Sequence, residues 1–278
     1  MRRIFMPGSE WLFCKIYTGE NEVEFILKDC VYKLVNDLRG KGIIDKWFFI
    51  RYKDSMGFHL RLRFHIPDIS NVFNVILVVN EYFSPFVNND VAIVQYDTYI
   101  RELERYGAEL IEETESLFCM DSDWVLNAIK ISDYQGEGDR WKFALSIMDG
   151  YLDEFGFSTK SKQIFSSLRR DAYRKEFGFD KAEDIRQIDK KYREMRILIN
   201  NLLDNTKQRQ KELVLRELAN KIGHSISSVD LTDYLASVLH MSMNRLFIEN
   251  NRFNEMMIFD FLSRYYESLL ARQKYSLG

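Results

Sequence analysis

A chain of 278 residues with 46% hydrophobic side chains can bury a large core, as one large domain or two modest ones. Lys and Arg number 39 against 42 Asp and Glu, a net charge of -3, so the global balance offers no cationic surface to nucleic acid or an anionic membrane, and any cationic site is local. Cys14, Cys30 and Cys119 are scattered, odd in number and without CxxC spacing, which argues against a disulfide framework or a zinc site and fits a reducing compartment. MRRIFMPGSEW has no apolar stretch after its two arginines, and no run approaches ~18 apolar residues, so the expectation is a soluble cytoplasmic protein with no membrane span.

In chain order, WLFCKIY (11–17) is rich in aromatic and β-favouring residues and closes at Thr18-Gly19, which predicts a strand ending in a turn. Residues 21–39 place Val23, Ile26, Leu27, Cys30, Val31, Leu34, Val35 and Leu38 at helical spacing before Gly40 and Gly42, which predicts an amphipathic helix. WFFIRY (47–52) and FHLRLRFHI (58–66) predict an antiparallel pair of strands joined by KDSMG, the second ended by Pro67 and Asp68. A helix from about residue 70 to 82 and a last strand over VAIVQYDTYI (91–100) complete the order β-α-β-β-α-β, the split βαβ or ferredoxin-like arrangement.

After residue 100 the texture changes. Segments around 107–130, 139–155, 160–177, 182–204, 206–222, 229–249 and 253–274 have helical periodicity, and the three prolines, Pro7, Pro67 and Pro85, all lie earlier. The predicted class is α+β, with a ferredoxin-like sheet unit over 1–106 and a predominantly helical half over 107–278. No Pro/Gly/Ser-rich linker separates the two, so they are expected to pack as one body. KQRQKE (207–212) reads as a solvated helix face.

Three stretches carry candidate chemistry. In FHLRLRFHI the even positions are apolar and the odd ones are His59, Arg61, Arg63 and His65. Residues two apart on a strand point the same way about 7 Å from each other, so both guanidiniums can converge on one carboxylate or phosphoester. The plainer alternative is an open sheet face whose arginines pair with carboxylates of a covering helix. His59 and His65 are expected to be solvated flanks.

In YIRELERYG (99–107) a helical turn sets Glu102 and Arg105 at i,i+3 and Arg101 at i,i+4 to Arg105, with Gly107 ending the turn. The glutamate either orients a catalytic arginine, acts as a base, or makes an ordinary surface ion pair. In SVLHMSMNRLF (237–247) His240 sits in an apolar helix with Asn244 one turn on, and a buried imidazole needs a hydrogen-bond partner. It is an acid or base near neutral pH, or a satisfied core histidine. His224, after Gly223, is a weaker candidate. There is no Walker loop, GxGxxG, HExxH, GxSxG or acidic metal cluster, so nothing in the motifs requires a cofactor or a metal.

Taken in order, WLFCKIYTG, WFFIRYKDSMGFHLRLRF, YDTYIRELERYG and LHMSMNRL resemble the C-terminal domain of lantibiotic dehydratases, which also occurs free-standing in lanthipeptide and thiopeptide biosynthesis. The resemblance runs from about residue 10 to 272. It implies a division of labour: a large domain esterifies Ser and Thr of a precursor peptide using glutamyl-tRNA, and the smaller domain eliminates glutamate to leave dehydroalanine or dehydrobutyrine. Only the second part is resembled here. By motif the elimination residues carry over onto Arg61, Arg63, Glu102, Arg105 and His240. The resemblance therefore implies a lyase acting on a glutamylated precursor peptide, supplied by a separate glutamyl-tRNA-dependent aminoacylating protein, with no direct nucleic-acid contact.

Chemistry gives these residues roles within that resemblance. Glutamate leaves as a carboxylate, so the hard step is removal of the α-proton and stabilisation of the enolate. Arg61, Arg63 and Arg105 would hold the glutamyl carboxylates and the enolate oxygen, with His59 and Asn244 as further substrate contacts. His240 would be base or proton shuttle, and Glu102 would orient Arg105 or share the relay. One departure is Ala108, where a second glycine is frequent in the family. Three rivals stand beside elimination: a formal [4+2] cycloaddition of two dehydroalanines, a non-catalytic scaffold for the precursor peptide, and an anion-binding α+β protein that shares only the architecture. A homodimer is compatible with a chain carrying 21 Phe and 15 Tyr, but sequence places no interface.

Overall fold

The computed structural model describes residues 1–135, 139–179, 181–206, 213–226 and 230–276. The first half opens with a short strand β1 (Ile4–Phe5) and the long β2 (Trp11–Thr18). The predicted helix follows as α1 (Val23–Phe25), a π-helical segment Ile26–Val31 and α2 (Tyr32–Gly40). Then come the hairpin β3 (Lys46–Asp54) and β4 (Gly57–His65), where Gly57 takes φ +125°, a conformation L side chains avoid. A 3₁₀ turn Ile69–Asn71, α3 (Val72–Asn88) and β5 (Ala92–Asp97) complete the βαββαβ unit.

The sheet order is β3-β4-β2-β5, with every pairing antiparallel. β4 is inserted between β2 and β3, as the split βαβ requires. Its two faces obey the alternation of the sequence. Leu60, Leu62, Phe64 and the following Ile66 are fully buried on one face. The helices cover that face: Glu24 of α1 ion-pairs with Arg51, whose partner across the hairpin is Leu60, and Cys30 Sγ donates to the Tyr82 carbonyl of α3.

Two elements differ from expectation. The helix predicted to end near residue 82 runs on to Asn88 through Pro85. Proline in a helix interior removes one hydrogen bond; Ser84 Oγ donates to the Asn80 carbonyl and Asn89 Nδ2 to the Pro85 carbonyl over these last turns. The predicted strand 91–100 breaks after Asp97, and β6 (Tyr99–Ile100) leaves the main sheet to pair with β1, Phe5 opposite Tyr99.

Beyond β6 the chain is helical: α4 (Leu103–Tyr106), α5 (Ile111–Gln135), α6 (Arg140–Glu154), α7 (Thr159–Phe177), α8 (Ala182–Thr206), α9 (Leu213–Ser225), α10 (Leu231–Leu246) and α11 (Asn251–Ser276). The charged run 207–212 lies outside the described residues. Compactness divides the chain elsewhere than at residue 106. One unit joins Met1–Tyr134 to Ser225–Ile248, and the other joins Gln135–His224 to Glu249–Gly278.

Within the first unit, α5 and α10 close the open edge of β3. Phe49 N–H donates to Ser122 Oγ of α5 (3.3 Å), and Trp47 Nε1 donates to Asp123 (2.9 Å). Asn244 of α10 accepts from Arg51 N–H and donates to the Arg51 carbonyl, both at 3.0 Å, while Arg245 Nε donates to the Phe49 carbonyl at 2.7 Å. Side chains thus take the place of a further strand on an edge that would otherwise expose unpaired backbone. The second unit has its own charge pairs, among them buried Lys162 with Asp149 at 2.7 Å and half-buried Arg174 with buried Asp260 at 2.6 Å. No helix among the described residues is long and apolar enough to cross a membrane.

Candidate active site

Because β4 is an inner strand, each odd residue stands opposite a side chain on both neighbours. Arg63 faces Phe13 and Phe48, Arg61 faces Lys15 and Ile50, and His59 faces Tyr17 and Tyr52. The basic ladder is set in an aromatic frame.

Arg63 is 8% exposed. Its Cζ lies 4.6 Å from the ring centre of Phe13 and 5.0 Å from those of Phe48 and Tyr99. Its Nε is buried without a hydrogen-bond partner, and no ion pair among the described residues includes it. Burial pulls its pKa down to about 10; Tyr99 and Glu102 work against that, Arg61 and Arg245 with it. The group is therefore still a cation at neutral pH, held by ring faces rather than by a carboxylate. A desolvated charge of this kind lacks a counter-ion, and an anion supplies one. The alternative in which a covering helix neutralises the ladder is not what surrounds Arg63 among the described residues.

Arg61 is half-buried and sits over Tyr52, its Cζ 3.4 Å from the ring centre. His59 is not a solvated flank: it is fully buried, since strand pairing on both sides brings the Tyr17 and Tyr52 rings against it. His65 is half-buried at the other end of the row, its Nδ1 2.6 Å from Asp45 Oδ1.

The turn after β6 has the predicted form. Glu102 precedes α4, Gly107 ends it at φ +81°, and Arg105 Nη1 stands 3.5 Å from Glu102 Oε2 with both side chains exposed. Arg101 does not join Arg105. It is buried in a two-pronged pair with Glu115 of α5, both bonds 2.7 Å, and Glu115 also accepts from Tyr99 OH at 2.9 Å. That clamp fixes Tyr99 beside Arg63. Arg63 senses the charges of Arg61 and Glu102, and Glu102 holds Arg105, so these four residues gather in one region.

His240 is half-buried on α10. Asn244, one turn later on the same side, accepts from Arg51 N–H and donates to the Arg51 carbonyl through its amide.

Sequence reasoning missed Arg245. This residue is fully buried; Nη1 reaches Asp121 Oδ2 at 2.8 Å, and Nη2 has no hydrogen-bond partner. The signal was its place in α10 among the inward-facing Leu235, Val238, Leu239, Ser242 and Leu246, where an arginine is out of character. Tyr106 was missed too. It is buried against Phe118 and Tyr234, with its pKa raised to about 12 by burial and then by Glu102. Among the described residues, no group of three or more His, Cys, Asp or Glu is placed to hold a metal ion.

With this geometry in hand, comparisons with known proteins agree with one another. The family described as "Lantibiotic biosynthesis dehydratase C-term" matches residues 11–266. Nisin biosynthesis protein NisB of Lactococcus lactis subsp. lactis is 27% identical over 96% of this chain, which covers 26% of NisB. The chain thus spans about a quarter of the length of the curated relatives it matches. The tRNA-dependent lantibiotic dehydratase MibB of Microbispora sp. 107891 superposes over 97% of this chain and 29% of its own with a TM-score of 0.75 at 20% identity. The pyridine synthase TbtD from thiomuracin biosynthesis superposes over 93% of this chain and 99% of its own with a TM-score of 0.65 at 13% identity.

Proposed function

Because the chain belongs to the family of lantibiotic dehydratase C-terminal domains, we propose that it eliminates glutamate from O-glutamylated Ser or Thr of a ribosomal precursor peptide, giving dehydroalanine or dehydrobutyrine. The observation that carries this reading is Arg63, a buried cation with an unpartnered Nε and no carboxylate of its own, beside Arg61. A glutamyl ester brings its free side-chain carboxylate to such a place and releases the α-carboxylate when it leaves.

In this reading the base takes the α-proton of the acylated residue. The electron pair left behind forms the Cα–Cβ double bond, the Cβ–O bond breaks, and glutamate departs with that bond's electrons as a carboxylate. Arg61, Arg63 and Arg105 bind the glutamyl carboxylates and the enolate-like carbonyl oxygen, staying charged throughout. His240 serves as base or proton shuttle. Glu102, 3.5 Å from Arg105, orients that guanidinium or shares the relay. A separate protein supplies the glutamyl ester from glutamyl-tRNA, and a cytoplasmic location follows from that supply.

The test is mass spectrometry of a precursor peptide glutamylated by such a partner, before and after adding this chain. Loss of glutamate with formation of dehydrated residues is expected, and Arg63→Ala or His240→Ala should leave the glutamylated peptide intact. Unchanged peptide with the unaltered chain would sink the reading.

One observation favours a second reading. The pyridine synthase TbtD superposes on 93% of this chain with a TM-score of 0.65, so its fold is shared and its reaction is the alternative to test. A peptide that already carries dehydroalanines, converted by this chain to a ring with expulsion of the leader, would establish cycloaddition instead.

A further inference from the structure

His59 is the one histidine of the ladder that is fully buried. Its Nδ1 lies 3.2 Å from the Gly57 carbonyl oxygen, and its Nε2 lies 3.2 Å from Arg61 Nε. A carbonyl oxygen only accepts, and a guanidinium N–H only donates. One form of the imidazole satisfies both contacts: neutral, with its proton on Nδ1. The opposite tautomer and the imidazolium each set an N–H against the N–H of Arg61.

The consequence falls on Arg61. Its Cζ sits over the Tyr52 ring and its Nε is spent on His59, while no hydrogen bond among the described residues engages Nη1 or Nη2. We propose that His59 is a positioning residue that aims Arg61: by holding Nε it presents Nη1 and Nη2 end-on to the substrate carboxylate, and a proton on His59 releases that aim. The kinetic part of this proposal rests on the elimination reading.

The surroundings give the release a direction. Tyr17 and Lys15 face His59 from β2, Tyr52 and Asp54 from β3, and Arg61 from β4 itself. Lys15 is paired with Asp97 at 2.6 Å. Asp54 Oδ2 accepts from Tyr17 OH at 3.0 Å and lies 3.9 Å from His59 Nε2. A proton arriving at Nε2 therefore breaks the bond to Arg61 and makes Nε2 a donor toward Asp54. Burial first, and Arg61 and Lys15 with it, disfavour the imidazolium, against the opposing pull of the Gly57 carbonyl and Asp54. The aiming form is the one present at neutral pH.

Two variants separate position from mere bulk. His59→Gln keeps an acceptor for Arg61 but takes no proton, whereas His59→Leu keeps volume and has no acceptor. For a glutamylated peptide, His59→Leu should raise KM about 10-fold with a smaller change in kcat, the effect of losing one hydrogen bond to a charged group, and His59→Gln should stay within about 3-fold of the unaltered chain. KM should rise on acidification in the unaltered chain and stay flat in His59→Gln. Equal KM values in all three, or the same acid rise in His59→Gln, would overturn the proposal.

Side-chain ¹⁵N NMR tests the same idea without turnover. The His59 signal, assigned by its loss in His59→Gln, should show the Nδ1–H tautomer at neutral pH. The Arg61 Nε–H signal, assigned by Arg61→Lys, should be protected from solvent exchange in the unaltered chain and in His59→Gln and lose protection in His59→Leu. An Nε2–H tautomer, or protection that survives in His59→Leu, would overturn the proposal. Should the unaltered chain leave glutamate in place, the elimination reading fails while these spectra still decide the role of His59.

Discussion

Arg63 shows what a site asks of a single residue. Its guanidinium is kept charged in a nest of aromatic rings with no acidic partner among the described residues, which is unfavourable for the fold and favourable for an anion. Arg63→Met fills similar space without the charge. It should raise the free energy of unfolding by about 1–3 kcal/mol in denaturant titrations while abolishing dehydration of a glutamylated peptide. A variant that loses stability as well would mean that the rings compensate the charge fully. His59 offers a pH test of the same kind. Burial lowers its pKa from the ordinary 6.5, so below that value the unfolded chain binds a proton that the folded chain refuses. Its contribution to stability is therefore complete above pH 6.5 and lost as pH falls toward the depressed folded value. The unaltered chain should lose stability on acidification relative to His59→Gln, read as the difference between their denaturation midpoints at two pH values.

At the scale of elements, the junction of β3 with α5 and α10 places His240's helix. Asn244→Ala removes both hydrogen bonds to Arg51 at a solvent-screened edge and should cost about 1–3 kcal/mol. Asp121→Ala strands the fully buried Arg245 and should cost about 3–5 kcal/mol, and both changes are measurable by chemical denaturation. These elements also mark where sequence reading succeeds and fails. The alternation of residues 58–66 is a local property, so strand, inward face and the shared direction of Arg61 and Arg63 were all legible. Glu102, Arg105 and Gly107 form a local turn and were legible for the same reason. The burial of His59 was not, because it depends on Tyr17 and Tyr52 arriving from two other strands. Nor was the commitment of Asn244, whose partner lies 193 residues away. Pro85 misled the end of α3, since a proline near a helix terminus removes a bond without ending the helix.

At the scale of the whole chain, the two compact units interleave in sequence. α10 belongs with the sheet although residues of the other unit precede and follow it. Hydrogen exchange should reflect that membership: peptides from α10 should share the slow opening of β3 and β4, while those from α11 follow α7. Exchange of α10 in step with α11 instead would contradict the partition.

The same return of α10 sets a timetable for synthesis. The backbone of Arg51 and the amide of Asn244 are 193 residues apart, so at roughly 5–20 residues per second the ribosome needs about 10–40 seconds to deliver the second after the first. Throughout that interval the edge of β3, aromatic through Trp47, Phe48 and Phe49, lacks the side chains of α10 that cap it, and an uncapped edge can pair with the wrong neighbour. His240, the proposed base, is then the last part of the proposed site to leave the ribosome.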